Sequence, residues 1–296
     1  MAIQKRKRSR KALVLAKKRQ RLSSRSFFDL PAELRNRIYA LALTASGDLY
    51  MRSAPGTSRA KQKPRLIEQG IEGQEFNHIK FVNRQLYAEA AGLEVQFNCI
   101  VFDSAKPRAS ISRCVQFLKS CTPNRLRWLR HVIIDEKPKK DNDMGYWLRL
   151  NMKMIMDLFS LCATNPDLHV HLRIPGWTDS IPFEPLRLIH GGKLLEMAFR
   201  GNDLTDIAPE SGLEKSEMYK NWVVGILDKH RDTVQALGRD VPNLRFFPKL
   251  KELDEDRLRS EGLEWWNHYA DDPQLLPPDG VDNWVKYAQL WMTKGV

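Results

Sequence analysis

Two histidines in alternate positions, His169 and His171, stand in the alternating segment Leu168-His169-Val170-His171-Leu172-Arg173-Ile174. Alternate residues of a strand project to one face, so both imidazoles could ligate one metal ion. A zinc centre needs two further ligands, and no Cys or His pair stands nearby to supply them; a polar sheet face accounts better for the pattern. Gly191-Gly192-Lys193 has phosphate-binding residue types but lacks the upstream glycine and following hydroxyl of a P-loop, and reads as a turn. Asp135, Asp141 and Asp143 follow an apolar segment, where ligands often bind in α/β folds. Interleaved with Lys137, Lys139 and Lys140 and broken by Pro138, they read as a self-neutralised loop without the oxygen count and glycine of a calcium site. The four cysteines, Cys99, Cys114, Cys121 and Cys162, lie in apolar segments without a Cys-x-x-Cys pair and read as reduced core residues of an intracellular protein. No Gly-x-Ser-x-Gly elbow, Gly-x-Gly-x-x-Gly loop or His-Glu-x-x-His helix occurs. The expectation is a non-enzymatic protein with no metal and no cofactor.

The elements that would carry these residues follow from periodicity. Cys99-Ile100-Val101-Phe102 reads as a strand, Ser110–Ser120 as a helix, Trp128–Asp135 as a strand, Tyr146–Cys162 as a strongly apolar helix ended by Asn165-Pro166, and Leu168–Ile174 as a strand. Strand, helix, strand, helix, strand predicts a small parallel sheet with right-handed crossovers. The spacing from Cys99 to His131 is 32 residues and from His131 to Leu168 is 37. That is compatible with irregular solenoid-like repetition, but without repeated residues at matching places an ordinary α/β layer is the better reading. Further on, Lys193–Arg200 reads as a strand or short helix, Ser216–Leu237 as a helix, and Asp282–Met292 as a terminal helix with Trp284, Tyr287, Ala288 and Trp291 on one side. These aromatics, with Trp265-Trp266, are expected to hold the carboxyl-terminal part against the domain.

Charge is distributed unevenly over the 296 residues. The formal net charge is +12, and residues 1–25 hold eleven cations and no acid, which leaves 12 − 11 = +1 for the rest. A general nucleic-acid-binding face on the folded part is therefore not implied, and nucleic acid is a candidate partner through the tail only. The cations form two clusters, one containing Lys5, Arg6, Lys7 and Arg8 and the other Lys17, Lys18 and Arg19. Two clusters on an extended chain suit a bipartite nuclear import signal read by an import carrier, which predicts a nuclear or nucleo-cytoplasmic protein. No apolar run is long enough to cross a membrane, so no membrane partner is expected.

Folding begins at Phe27-Phe28-Asp29-Leu30-Pro31-Ala32-Glu33-Leu34-Arg35-Asn36-Arg37-Ile38-Tyr39-Ala40-Leu41-Ala42-Leu43. Pro31 suits the first helical position, and Glu33 favours the positive helix end. Leu30, Leu34, Ile38 and Leu41 recur at helical spacing and form one apolar stripe, either core or docking face. Residues 44–75 are polar, contain Pro55 and Pro64, and read as a long loop in which only Leu49-Tyr50-Met51 hints at a strand. From Phe76 the helical period returns through Ile79, Val82, Leu86, Ala90, Leu93 and Phe97, and this helix is expected to pack against the first.

The order of residues in these two helices resembles the F-box-like proteins of filamentous fungi. In that family a Leu-Pro-x-Glu-Leu-Arg-x-x-Ile-Tyr helix precedes a Val-Asn-Arg-Gln-x-Tyr-x-Glu-Ala helix and then an Asn-x-x-x-Phe strand. The first motif is matched by Leu30, Pro31, Glu33, Leu34 and Ile38, the second by Val82 to Ala90, and the third by Asn98 and Phe102. The resemblance covers residues 27–103 and implies a non-enzymatic adaptor. It would dock on the Skp-family linker of a Skp-cullin-RING ubiquitin ligase through Leu30, Pro31, Leu34 and Ile38, and recruit an unknown protein substrate through another part of the chain. The alternative is a nuclear nucleic-acid-binding or chromatin-associated protein that uses the basic tail on phosphate. The expected organisation is a disordered basic tail (1–25), an F-box-like helical module with a long polar loop at 44–75 (26–97), and an α/β domain with a helical carboxyl-terminal part (98–296).

Overall fold

A computed structural model describes residues 26–52, 65–70, 74–104, 109–137, 144–174, 177, 185–201, 225, 234, 241–250, 252–268 and 280–296. The chain divides into two units, Met1–Thr44 and Ala45–Val296. The import clusters at Lys5–Arg8 and Lys17–Arg19, and most of the helix expected at Ser216–Leu237, lie outside the described residues.

In the first unit a 3-10 turn, Phe27–Asp29, precedes helix α1, Ala32–Ala42. Ser26 and Asp29 form a capping box around that turn: the Ser26 amide donates to Asp29 Oδ2 at 2.7 Å, and the Phe28 amide donates to Ser26 Oγ. Pro31 occupies the cap position of α1, one residue before the first helical position, because its extended ψ of 148° still belongs to the entering chain. The helix closes at Leu43, whose amide donates to Tyr39 O at 2.8 Å.

The second unit is mixed α/β, built on a six-stranded, mostly parallel sheet. Its strands are β1 (Leu49–Arg52), β2 (Arg65–Glu68), β3 (Ile100–Asp103), β4 (His131–Asp135), β5 (His169–Arg173) and β6 (Leu244–Phe247), in the spatial order β2-β1-β3-β4-β5-β6. Only β1 and β2 pair antiparallel; the other neighbours run parallel. The stretch 44–75 is thus not simply a loop. It contributes two strands, short and flanked by charged residues, which is why their alternation barely registers in the sequence.

From β1 through β3, β4, β5 and β6 the parallel strands advance in chain order without reversal. Right-handed crossovers that step in one direction place their helices on one face. Helices α4 (Ala109–Ser120), α6 (Met144–Thr164) and α7 (Pro185–Leu195) follow β3, β4 and β5 in turn, after the short pieces α2 (Arg84–Ala90) and α3 (Glu94–Phe97) that precede β3. Phe102 of β3 meets Phe117 of α4 at 5.5 Å between ring centroids. Phe246 of β6 lies 6.3 Å from Phe159 of α6 and 4.4 Å from Phe199, in the π-helical turn Glu196–Arg200 that prolongs α7. Leu49, Ile100, Val132, Val170 and Leu244 line the same buried face. This order is the one a solenoid would give, and it lacks the order reversal that creates the ligand crevice of doubly wound folds.

Polar hinges tie the layer together. The carboxylate of fully buried Glu136 accepts from the Ile111 amide at 2.6 Å, joining the end of β4 to the start of α4. Asn243 donates its amide to the carbonyls of Cys162, Asn165 and Leu168, which fastens the α6–β5 turn to β6. A short helix, α5 (Pro123–Trp128), precedes β4.

The single helix expected from Phe76 to Phe97 is interrupted. It consists of a 3-10 turn at Ile79–Phe81 followed by α2 and α3. Asn83 is extended and caps α2 by accepting from the Leu86 amide, and Gly92 at φ 91° separates α2 from α3.

Gly191 and Gly192 are not a turn either: they lie inside α7. A Cβ at Gly191 would overlap the Trp177 indole, and one at Gly192 the Trp291 indole. The carboxyl-terminal part contains α8 (Glu255–His268) and α9 (Gly280–Lys294). Trp284 and Trp291 of α9 are buried beside Ala288, so these two indoles serve the core, whereas the side chains of Trp265 and Trp266 lie outside the described residues. Beyond α9, Val296 exchanges both backbone hydrogen bonds with Phe246 and covers the outer edge of β6.

Candidate functional site

Helix α1 carries two distinct lines of side chains. Tyr39 and Leu43, four residues apart, are each 1% exposed, and the Phe27 ring lies 5.6 Å from Tyr39. Arg35 extends this line, half-buried, and donates to Leu30 O at 2.7 Å, so it is drawn back over the helix start. The other line is apolar and exposed: Leu34 at 48%, Ile38 at 40% and Leu41 at 76%. Successive helical residues are about 100° apart, so the exposed line is displaced by roughly that angle from the buried one. Of the residues expected to touch a partner, Leu30 is half-buried, while Pro31, Leu34 and Ile38 are exposed.

A second surface is the sheet face opposite the one that the described helices α4, α6 and α7 cover, with Val101 on it buried. Strand register aligns Tyr50, Val101, Ile133, His171 and Arg245 in one row across it, and Asp103, Asp135, Arg173 and Phe247 in the next. His131 stands opposite His169 with rings stacked at 5.5 Å, and His171 covers Phe247 at 4.7 Å. Arg52 pairs with Asp103 and lies 5.2 Å from the Tyr50 ring centroid, and Lys249 reaches Asp135 at 3.0 Å.

Burial, followed by the neighbouring His131, His169, Arg173 and Arg245, pushes the His171 imidazole down to about 4. His131 is lowered by burial, His169 and Arg130. Both imidazoles are therefore neutral near pH 7.

The cysteines are free thiols. Burial and then Asp48 push Cys99 up to about 12, and burial does the same to Cys162. Burial also raises Cys114 and Cys121. Thiols so held are poor nucleophiles. His169 and His171 alternate as expected, His169 exposed and His171 partly covered, but among the described residues no group of three metal-ligating side chains is assembled. Asp135 has Lys249 as its ion-pair partner, where the sequence suggested the adjacent lysines. Asp141 and Asp143 lie outside the described residues. No described helix is long and apolar enough to cross a membrane.

No protein-family model, curated protein or solved structure matches this chain.

The features that stand out are therefore those of the molecule itself. Sequence reasoning found the His169/His171 pair but missed His131, Arg245 and Phe247. His131 lies in a recognisable strand, but its place beside His169 is set by the strand register, which no local pattern contains. Arg245 and Phe247 lie on β6, whose alternation is broken by the Phe246-Phe247 pair.

Proposed function

We propose that α1 is a docking helix and that the protein is a non-enzymatic, F-box-like adaptor, able to recruit a partner protein to a Skp-cullin-RING ubiquitin ligase. The observation that carries this reading is the exposed apolar line of Leu34, Ile38 and Leu41 on a helix whose buried positions are filled by Tyr39 and Leu43. An apolar line left in water by the fold suits an amphipathic docking mode, in which a partner's groove covers it. Each fully covered aliphatic side chain would supply about 1.5 to 3 kcal/mol. Its position coincides with the Leu-Pro-x-Glu-Leu-x-x-x-Ile pattern of the family resemblance. Leu34→Glu, tested for capture of the Skp-family linker alongside the melting temperature of the free protein, decides the reading.

The basic tail favours a second element of the same account, import into the nucleus, because eleven cations without an acid occupy residues 1–25. Replacing Lys17, Lys18 and Arg19 with Ala in a fluorescent fusion should reduce nuclear enrichment; unchanged enrichment removes that cluster from the proposal. The rival nucleic-acid reading predicts a steep salt dependence carried by the same tail.

A further inference from the structure

We infer that the open face of β4, β5 and β6 binds an extended, acidic peptide segment of another protein. The inference goes beyond the docking helix, which belongs to the other unit, and stands or falls independently of it.

The first support is the balance of charge. His131, His169, His171, Arg173 and Arg245 share this part of the face, and three acids near them have cationic partners. Asp135 is held by Lys249 at 3.0 Å, Asp103 by Arg52 one strand further out, and Asp167 by Arg130 at 2.9 Å. Arg245 is fixed by the carbonyls of Pro242 and Lys294, at 3.0 and 2.8 Å, which orient the guanidinium without cancelling its charge. His169 and Arg173 are exposed at the two ends of β5. An approaching carboxylate therefore meets the cations Arg173 and Arg245 together with imidazole hydrogen-bond donors.

The second support is spacing. His169, His171 and Arg173 alternate along one strand and so repeat about every 7 Å, the same interval at which an extended peptide presents its alternate side chains. Half-covered Ile133 flanks this row on β4 and offers apolar contact to the residues between the carboxylates. A peptide is favoured over a nucleic acid because the described aromatic ring here, Phe247, is already covered by His171 and offers no free stacking platform.

The test uses the full-length protein and a fluorescein-labelled peptide of alternating glutamate and valine, read by fluorescence anisotropy. An alternating lysine and valine peptide and an oligouridine RNA serve as comparison ligands. Binding of the glutamate peptide is expected, with a loss of roughly tenfold or more in the double variant His169→Glu, Arg173→Glu. Both positions are exposed, and an unchanged melting curve verifies that the variant folds. The variant with Lys17, Lys18 and Arg19 replaced by Ala should retain the affinity, since the tail is not the site. Three outcomes overturn the inference: no binding by the wild type, loss of binding in the tail variant with none in the face variant, or RNA as the tighter ligand displaced by the face substitutions.

Discussion

Helices α1 and α9 look alike in sequence, each with large apolar residues at three- and four-residue steps, yet the fold treats them in opposite ways. In α9, Val281, Trp284, Val285, Ala288 and Trp291 are all buried. In α1 the apolar line of Leu34, Ile38 and Leu41 is exposed, and the buried positions are Tyr39 and Leu43. The difference lies in what surrounds each stripe. Trp291 is met by partners of matching chemistry: its indole stacks on Tyr287 at 5.7 Å, contacts Trp177 at 6.1 Å, and donates to Glu196 at 2.9 Å. Glu196 in turn pairs with buried Lys193, whose ammonium lies 3.6 Å from the Tyr287 ring centroid. Such a closed set of contacts identifies core. Apolar periodicity alone gives the same signal for a core helix and for one that keeps its stripe for something else.

The largest effect that would break the comparison concerns α9. Trp291→Ala should destabilise by about 3 to 5 kcal/mol, the range for deleting a buried aromatic, with further loss from the Glu196 hydrogen bond. Urea denaturation measures it, and a loss below about 1 kcal/mol would mean that this stripe too is dispensable.

A smaller effect is expected from filling the space beneath the ring. Gly192→Ala gains helix propensity of about 1 kcal/mol, but the added methyl overlaps the Trp291 indole, so net destabilisation of roughly 1 to 2 kcal/mol is expected by the same measurement. Stabilisation would show that the indole moves aside freely.

His171, half-covered, lies between the two extremes and sharpens the contrast through pH. Its folded value near 4 lies below its ordinary 6.5, so between these values the unfolded chain binds a proton that the folded protein refuses. Stability should be indifferent to this group above about pH 6.5 and should fall as pH falls through that window. His171→Gln should flatten the decline in thermal melts between pH 6.5 and 4, though not abolish it, since His131 is lowered in the same direction. An unaltered pH profile would show that His171 is fully solvated in the folded protein.

What was legible in the sequence follows the same division between local and non-local causes. The start of α1 was readable from Leu30-Pro31-x-Glu33, and β3, β4, β5, α4 and α6 from apolar alternation and helical period. Which line of α1 is buried was not readable, because Arg35, Tyr39 and Leu43 form a second helical line beside Leu34, Ile38 and Leu41, and only tertiary packing chooses between them. Gly191-Gly192 gave a local turn signal that two indoles override by needing bare backbone beneath them. Register, which no local pattern contains, brings His131 beside His169 and Arg245 beside His171.

The smallest expected effect on stability is also the most direct test of the account. Leu34→Glu places a charge on the exposed line of α1, and Ile38→Glu is its companion one turn further on. In each variant the melting temperature should stay close to that of the wild type while capture of the purified Skp-family linker is lost, because only the line left in water is altered. A melting temperature lowered by several degrees, or a wild-type protein that captures no linker where a known F-box protein does, would contradict the docking helix.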